Sequence, residues 1–303
     1  MLRDQVLNSG ESIGVSLEFF PPKSEVMLAS LWKAFRDLLP LKPIFVSVTY
    51  GAGGTTRNRT HEVISKIKRM AHVRPAAHLT CVGSSRAQIK AIAQNYFHEG
   101  VTHIVALRGD PPERTSRFQP HREGYAGSVE LIKGLMEISE FEITAGAYPE
   151  AHPESEGVQS DMEHLKRKCE AGAVRLITQF FFSNEHFFRF CDRVRACGIT
   201  VPIVPGILPI SNFQQIASFS AKCGAVMPKT IIEKFEGIPN GSSEASKVAI
   251  DIASSQCAGL ISQGVKDFHF YTLNRSDLIL GVWDFLGIKF PFSPFSSSSG
   301  IGP

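Results

Sequence analysis

Val15-Ser-Leu-Glu-Phe-Phe-Pro-Pro-Lys23 reads as a short apolar strand that carries one acid and is stopped by two prolines, which cannot extend a hydrogen-bonded ladder. The two-residue period of a strand puts Val15, Leu17 and Phe19 on one face and Ser16 and Glu18 on the other. A carboxylate flanked by Leu17 and Phe19 is costly to bury without a partner or a purpose. Desolvation raises the pKa of such a group, which is how a general acid keeps its proton near neutral pH. The expectation for Glu18 is therefore a raised pKa. The plainer alternative is an acid that bonds a backbone amide or faces solvent at a sheet edge.

Outward from this strand, apolar runs alternate with helical spacing along the whole chain. Strands are expected over Pro43–Thr49, Arg74–Thr80, Thr102–Arg108, Glu142–Tyr148, Arg175–Phe181, Val201–Leu208 and Asp267–Leu273. Helices are expected between them: Glu25–Leu39, Asn58–Ala71, Ser85–His98, Ser128–Ile138, Asp161–Ala171, Glu185–Cys197, one from Ser211, two within 228–264, and one from Arg275. Eight strands alternating with helices predict a (β/α)8 TIM barrel, an α/β fold, with extra helices before the eighth strand. An open doubly wound sheet is the runner-up. Against it, Gly51-Ala-Gly-Gly-Thr-Thr places Thr56 where the third glycine of a dinucleotide fingerprint would stand. Residues 1–290 are expected to form a single catalytic barrel, and 291–303, rich in Ser, Pro and Gly, a mobile tail.

Composition narrows the class. The 303 residues are 43% apolar and 20% charged, with net charge +3, which is too mild to imply nucleic acid or an anionic membrane. The six cysteines show neither C-x-x-C nor metal-ligand spacing, so reduced thiols and a cytoplasmic protein are expected. No apolar run reaches the roughly 18 residues of a membrane span. Lys166-Arg167-Lys168, the densest basic cluster, reads as a helix surface.

In such barrels chemistry sits at the C-terminal strand ends. Nearly every strand here ends on a polar residue: Glu18, Thr49, His78, Arg108 with Asp110, Tyr148, Gln179, and Asn274 with Arg275. Each alone has a dull reading: His78 as a satisfied core histidine, Asp110 as a turn residue before Pro111, Gln179 as a barrel hydrogen bond. Together they supply donors, a cation and two acids, without a metal constellation, nucleophile elbow or P-loop. Such a set suits a flat polar heterocycle.

Six motifs in order resemble the methylenetetrahydrofolate reductase family: Glu18-Phe-Phe-Pro-Pro, Leu107-Arg-Gly-Asp110, Ala147-Tyr-Pro-Glu-Ala-His-Pro153, Ile177-Thr-Gln-Phe-Phe-Phe182, Pro205-Gly-Ile-Leu-Pro209 and Asp267-Phe-His-Phe-Tyr-Thr-Leu-Asn-Arg275. The likeness runs over about residues 14–288. It implies a barrel with non-covalent FAD that takes hydride from NADH or NADPH and passes it to 5,10-methylenetetrahydrofolate in a ping-pong cycle. It implies Glu18 as the acid that protonates N10, opening the five-membered ring to an iminium ion. Asp110 matches an acid beside the flavin that also touches the pterin. Gln179, Phe219 and Arg275 match substrate contacts; unaided, Phe219 reads as core. Cofactor contacts carry over to Thr49, His78, Arg108, Gly109, Asp110, Tyr148, His152, Asp161, His164 and Lys168. Asp161, His164 and Lys168 fall at i, i+3 and i+7, one helix face; without the resemblance they read as a solvated face. Position 164 varies in the family. The resemblance also implies a homo-oligomer, with NADH expected for short members. Because the chain ends soon after the last barrel helix, feedback control by a C-terminal regulatory domain is not expected. Two alternatives from other classes are a flavin-free pterin-binding barrel methyltransferase and a non-enzymatic flavin or folate binder.

Overall fold

Residues 13–50, 57–70, 73–111 and 118–288 are described by the computed structural model. The glycine-rich loop 51–56, the middle of the loop after the fourth strand, and the expected tail 291–303 lie outside them.

The alternation read from the sequence is present. Among the described residues there are nine strands, β1 (Gly14–Phe19), β2 (Phe45–Val48), β3 (Pro75–Thr80), β4 (His103–Leu107), β5 (Glu142–Ala147), β6 (Ala173–Thr178), β7 (Ile203–Val204), β8 (Gly206–Ile207) and β9 (Asp267–Tyr271). Ten helices accompany them: α1 (Glu25–Leu38), α2 (Arg57–Met70), α3 (Arg86–His98), α4 (Ser128–Met136), α5 (Val158–Glu170), α6 (Asn184–Ala196), α7 (Phe213–Cys223), α8 (Lys229–Phe235), α9 (Ser243–Ile261) and α10 (Asp277–Leu286). All strand pairs are parallel, in the order β7-β6-β5-β4-β3-β2-β1-β9-β8. Strands β7 and β8, at opposite ends of that order, are consecutive in the chain. The ends of the sheet therefore meet at Pro205, as a TIM barrel requires.

Pro205 also explains why nine strands stand where eight were expected. Proline has no N–H for the ladder, so the expected strand Val201–Leu208 splits into two short pieces. Side chains complete the seam: the Gly206 N–H donates to Thr178 Oγ1 at 2.9 Å, and the Tyr271 hydroxyl donates to the Thr178 carbonyl at 2.7 Å. A Cβ at Gly206 would stand 2.2 Å from the Thr178 carbonyl oxygen and 2.6 Å from the Tyr271 ring. Backbone cannot yield as a side chain can. Gly206→Ala is expected to cost about 3 kcal/mol of stability, seen as a lower urea midpoint at unchanged slope. An unchanged midpoint would show that the seam is soft.

Other boundaries differ for local reasons. Strand β6 begins at Ala173 rather than Arg175, because Ala173 still pairs with Ile143 across a register shift. It ends before Phe180, whose N–H is taken by the Gln179 side chain at 3.0 Å instead of by a strand. Helix α5 begins at Val158 rather than Asp161: Gly157, at φ 117°, turns the chain into it without a capping side chain.

The period-2 reading of β1 holds. Val15, Leu17 and Phe19 are buried with Leu31, Phe35 and Leu38 of α1 in the layer between barrel and helices. Full burial of side chains such as Leu17 and Phe19 contributes roughly 1.5–3 kcal/mol each. The lumen holds a smaller apolar plug of Phe45, Ala76, Val105, Ile177 and Val204, one residue from each of five strands. Above and below the plug the lumen is polar. At the N-terminal end Glu142 pairs with Arg74 at 2.5 Å and with Arg175, beside fully buried His103. The extra helices expected before the last strand are α8 and α9. They bury Ile231, Phe235, Ala245 and Ala249 against Phe180, Leu208 and Ile216. No helix among the described residues is long and apolar enough to cross a membrane.

Candidate active site

The C-terminal mouth of the barrel gathers two sets of polar side chains. The first is built on β1, β3 and β9. Glu18, on the lumen face of β1, brings Oε2 to 3.2 Å from His78 Nε2 and 3.4 Å from His269 Nε2. His269 is held from behind, its Nδ1 2.8 Å from Ser16 Oγ, which in turn donates to the Phe268 carbonyl at 3.2 Å. The ring of His269 also stacks on Phe45 of the plug, with centroids 5.9 Å apart. Both imidazoles are buried, and the Glu18 side chain is 16% exposed.

The direction of the Glu18 shift is opposite to the one expected from the sequence. Burial does raise its pKa, and this is the largest single influence. The field of His78, hydrogen bonds to both imidazoles and the field of His269 together outweigh it, holding the carboxyl at about 2. In the free protein Glu18 is thus a carboxylate with two imidazoles for partners. Beyond this contact, the buried His78 Nε2 has no hydrogen-bond partner among the described residues.

The second set lies on β4, β5 and α5. Arg108 forks Glu154, at 2.6 and 3.1 Å, and its guanidinium covers Phe118 at 5.0 Å. This links the long loops that follow β4 and β5. Gly109 makes the turn after Arg108 at φ 85°, and Asp110 beyond it is exposed. Tyr148 and His152 meet edge to face at 4.6 Å. Lys168 does not sit on the helix surface as its basic neighbours suggested. It is 8% exposed and donates to the Gly146 carbonyl at 2.9 Å. Burial lowers its pKa to about 8, against the opposing pull of Asp161. Asp161 is buried on the same helix face and raised by desolvation. His164 is pushed down to about 4 by burial and by Lys168, and its Nε2 lies 3.3 Å from Ser128 Oγ. Helices α4 and α5 both begin at glycine, Gly127 and Gly157, with no side-chain cap. Their first N–H groups have no side-chain acceptor.

Three expected substrate contacts stand on the rim. Gln179 follows β6. Phe219, on α7, is 38% exposed and stacks on Phe180 at 5.4 Å. Arg275 is held by Asp277, at 3.0 and 2.5 Å, and lines a pocket of about 460 Å³ with Phe20, Asn212, Gln215 and Leu273. Thr49 continues the sheet, its N–H donating to the Phe19 carbonyl. Asp110 and Arg275 stand outside the hydrogen-bonded set of Glu18. Sequence reading missed His269, Ser16 and Glu154. The signal for His269 was available: the period of Asp267–Tyr271 puts it on the same face as Tyr271, and Tyr271 pairs in register with Glu18. Among the described residues no group of His, Cys, Asp or Glu could hold a metal ion.

A parallel barrel with an acid and two imidazoles in its C-terminal mouth, next to a buried lysine and a half-buried arginine, defines a (β/α)8-barrel enzyme built around a polar ligand. The family model described as methylenetetrahydrofolate reductase matches residues 3–287. The chain is 45% identical over 277 residues to the 5,10-methylenetetrahydrofolate reductase of Pectobacterium carotovorum, covering 91% of each chain, and 43% identical to that of Escherichia coli, covering 91% of this chain and 92% of that one. It is 32% identical to the Arabidopsis thaliana methylenetetrahydrofolate reductase (NADH) 1, of which it spans 48%. A Clostridium thermocellum protein that binds two copies of 5-methyl-5,6,7,8-tetrahydrofolic acid shares the fold, with a TM-score of 0.60 at 12% identity, covering 95% of this chain and all of that one. The chain belongs to the methylenetetrahydrofolate reductase family, and its chemistry is that of a folate oxidoreductase.

Proposed function

We propose that this protein reduces 5,10-methylenetetrahydrofolate to 5-methyltetrahydrofolate with electrons from NADH or NADPH, using non-covalent FAD in a ping-pong cycle. The observation that carries the reading is the Glu18–His78–His269 set, placed at the mouth beside a buried lysine, Lys168, and a half-buried arginine, Arg108. The residues fit a flavin dinucleotide. Lys168 is a buried cation whose one side-chain hydrogen bond among the described residues goes to a carbonyl, and Arg108 stands half-buried just after β4. The uncapped starts of α4 and α5 add donors for an anion. FAD bound there supplies the two-electron relay between nicotinamide and folate. Thr49, His78, Gly109, Asp110, Tyr148, His152, Asp161 and His164 are the other side chains and turns proposed to surround it.

Glu18 has the harder task. A carboxyl at about 2 does not hold a proton at neutral pH. Substrate covering the mouth removes the remaining water from Glu18. A drier site favours the neutral carboxyl over the carboxylate. Glu18, neutral in that drier complex, passes its proton to N10, which opens the ring. Ser16 fixes the orientation of the His269 ring during that transfer. Gln179, Phe219 and Arg275 are proposed to orient the folate.

Lys168 gives a pH dependence. An anion binds the charged lysine better, so FAD affinity should fall as pH rises through about 8. One such proton limits the loss between pH 7 and 9 to about tenfold. Fluorescence titration of FAD across that range tests it, and Lys168→Arg should flatten the slope. A flat profile in the unmodified protein would remove Lys168 from the phosphate contacts. The cycle itself is tested by initial rates with both substrates varied. Parallel double-reciprocal lines are expected; converging lines would mean that both substrates are bound together.

A further inference from the structure

The turn after β9 is strained in a way that neither the fold nor the proposed catalytic set requires. Leu273 and Asn274 are consecutive left-handed residues, at φ 48° and 56°. Neither is glycine, and such conformations cost about 1–3 kcal/mol each and persist only where the surroundings over-determine them. Here the surroundings are the end of β1. The Asn274 side-chain amide pairs with both polar groups of one residue. Its Oδ1 accepts the Phe20 N–H at 3.0 Å, and its Nδ2 donates to the Phe20 carbonyl at 2.9 Å. The Asn274 N–H donates to Thr272 Oγ1 at 3.0 Å, and that hydroxyl donates to the Glu18 carbonyl at 2.7 Å. The Thr272 N–H reaches the same carbonyl at 3.0 Å. Thr272 and Asn274 are 4% and 6% exposed.

The need for this clamp is written in the sequence. Pro21 and Pro22 end the ladder of β1, and β9 stops at Tyr271, opposite Glu18. Phe20 therefore faces the β9 side with no strand partner for either backbone group, and Asn274 takes the place of that strand. Phe20 and the two neighbours of Asn274, Leu273 and Arg275, all line the 460 Å³ pocket at the mouth. One buried amide thus fixes the backbone that carries Glu18 and the wall of the adjoining pocket.

We propose that Asn274 is a positioning residue for the folate half of the reaction: it aims Glu18 and holds the Phe20–Leu273–Arg275 wall, and has no part in the nicotinamide half. This rests on the reading of Glu18 given above. Two variants separate aim from folding. Asn274→Gly keeps a residue that favours the left-handed backbone and removes the clamp. Asn274→Asp keeps the shape and loses the donor to the Phe20 carbonyl. With the FAD-loaded protein, both should slow the single-turnover reaction with methylenetetrahydrofolate at least tenfold. Both should weaken 5-methyltetrahydrofolate binding, read by calorimetry, by a similar factor. Reduction by NADH should stay within twofold. Equal losses in both half-reactions, or an unchanged folate step and unchanged binding, would overturn the proposal. Should Asn274→Gly fail to fold, Asn274→Asp decides alone. Glu18→Gln in the same assay distinguishes the two levels. If it leaves the folate step unchanged, the reading of Glu18 has failed; if it behaves as expected and the Asn274 variants do not, the clamp alone has failed.

Discussion

Glu18→Gln is expected to slow reduction of methylenetetrahydrofolate by about 10²–10⁴-fold, the usual contribution of a positioned general acid, and to leave reduction by NADH and the affinity for FAD nearly unchanged. The substitution keeps the size of the side chain, and removes both its negative charge, which faces His78 and His269, and its capacity to carry a proton. Because Glu18 is ionised in the free protein, the substitution also changes the resting charge of the mouth, and the half-reaction with NADH is the control for that change. Stopped-flow mixing with each substrate in turn reads the two half-reactions separately. An equal loss in both would make Glu18 a structural carboxylate.

Lys168→Met is expected to weaken FAD binding about 10- to 100-fold, the range for a charge-assisted hydrogen bond lost from a buried site. Methionine fills a similar space, so packing on the buried side of α5, which also carries Met162 and Leu165, should survive. The bond to the Gly146 carbonyl is lost as well, so a modest fall in the stability of the FAD-free protein accompanies the change. Equilibrium titration with FAD at pH 7 measures the effect. Unchanged affinity would place the phosphates elsewhere, with the uncapped helix starts as the next candidates.

The parts of this molecule that depend on local pattern were legible in the sequence, and those that depend on distant partners were not. The alternation in Val15–Phe19 put Glu18 and Leu17 on opposite faces of the strand, and the structure turns the first toward the lumen and the second into the core, because side-chain direction in a strand alternates with position. The helical spacing of Asp161, His164 and Lys168 placed them on one face, but not which way that face turns. The charge run at 166–168 argued for solvent, and packing on β5 decided otherwise for Lys168. The sign of the Glu18 shift was out of reach, since its partners arrive from β3 and from β9, at the far end of the chain. The split at Pro205 was written in the residue itself, yet the apolar run around it reads as one strand until the missing N–H is counted. The prolines that leave Phe20 without a strand partner stand in the sequence, but that Asn274 takes the partner's place needed three dimensions.

The most direct test of the central claim is an anaerobic visible spectrum of the FAD-loaded protein, with NADH added first and methylenetetrahydrofolate second. The account predicts that the flavin band bleaches with NADH and returns with the folate, with 5-methyltetrahydrofolate formed in equal amount. A band that bleaches and does not return on adding the folate, or a protein that takes up no flavin when FAD is supplied, would contradict it.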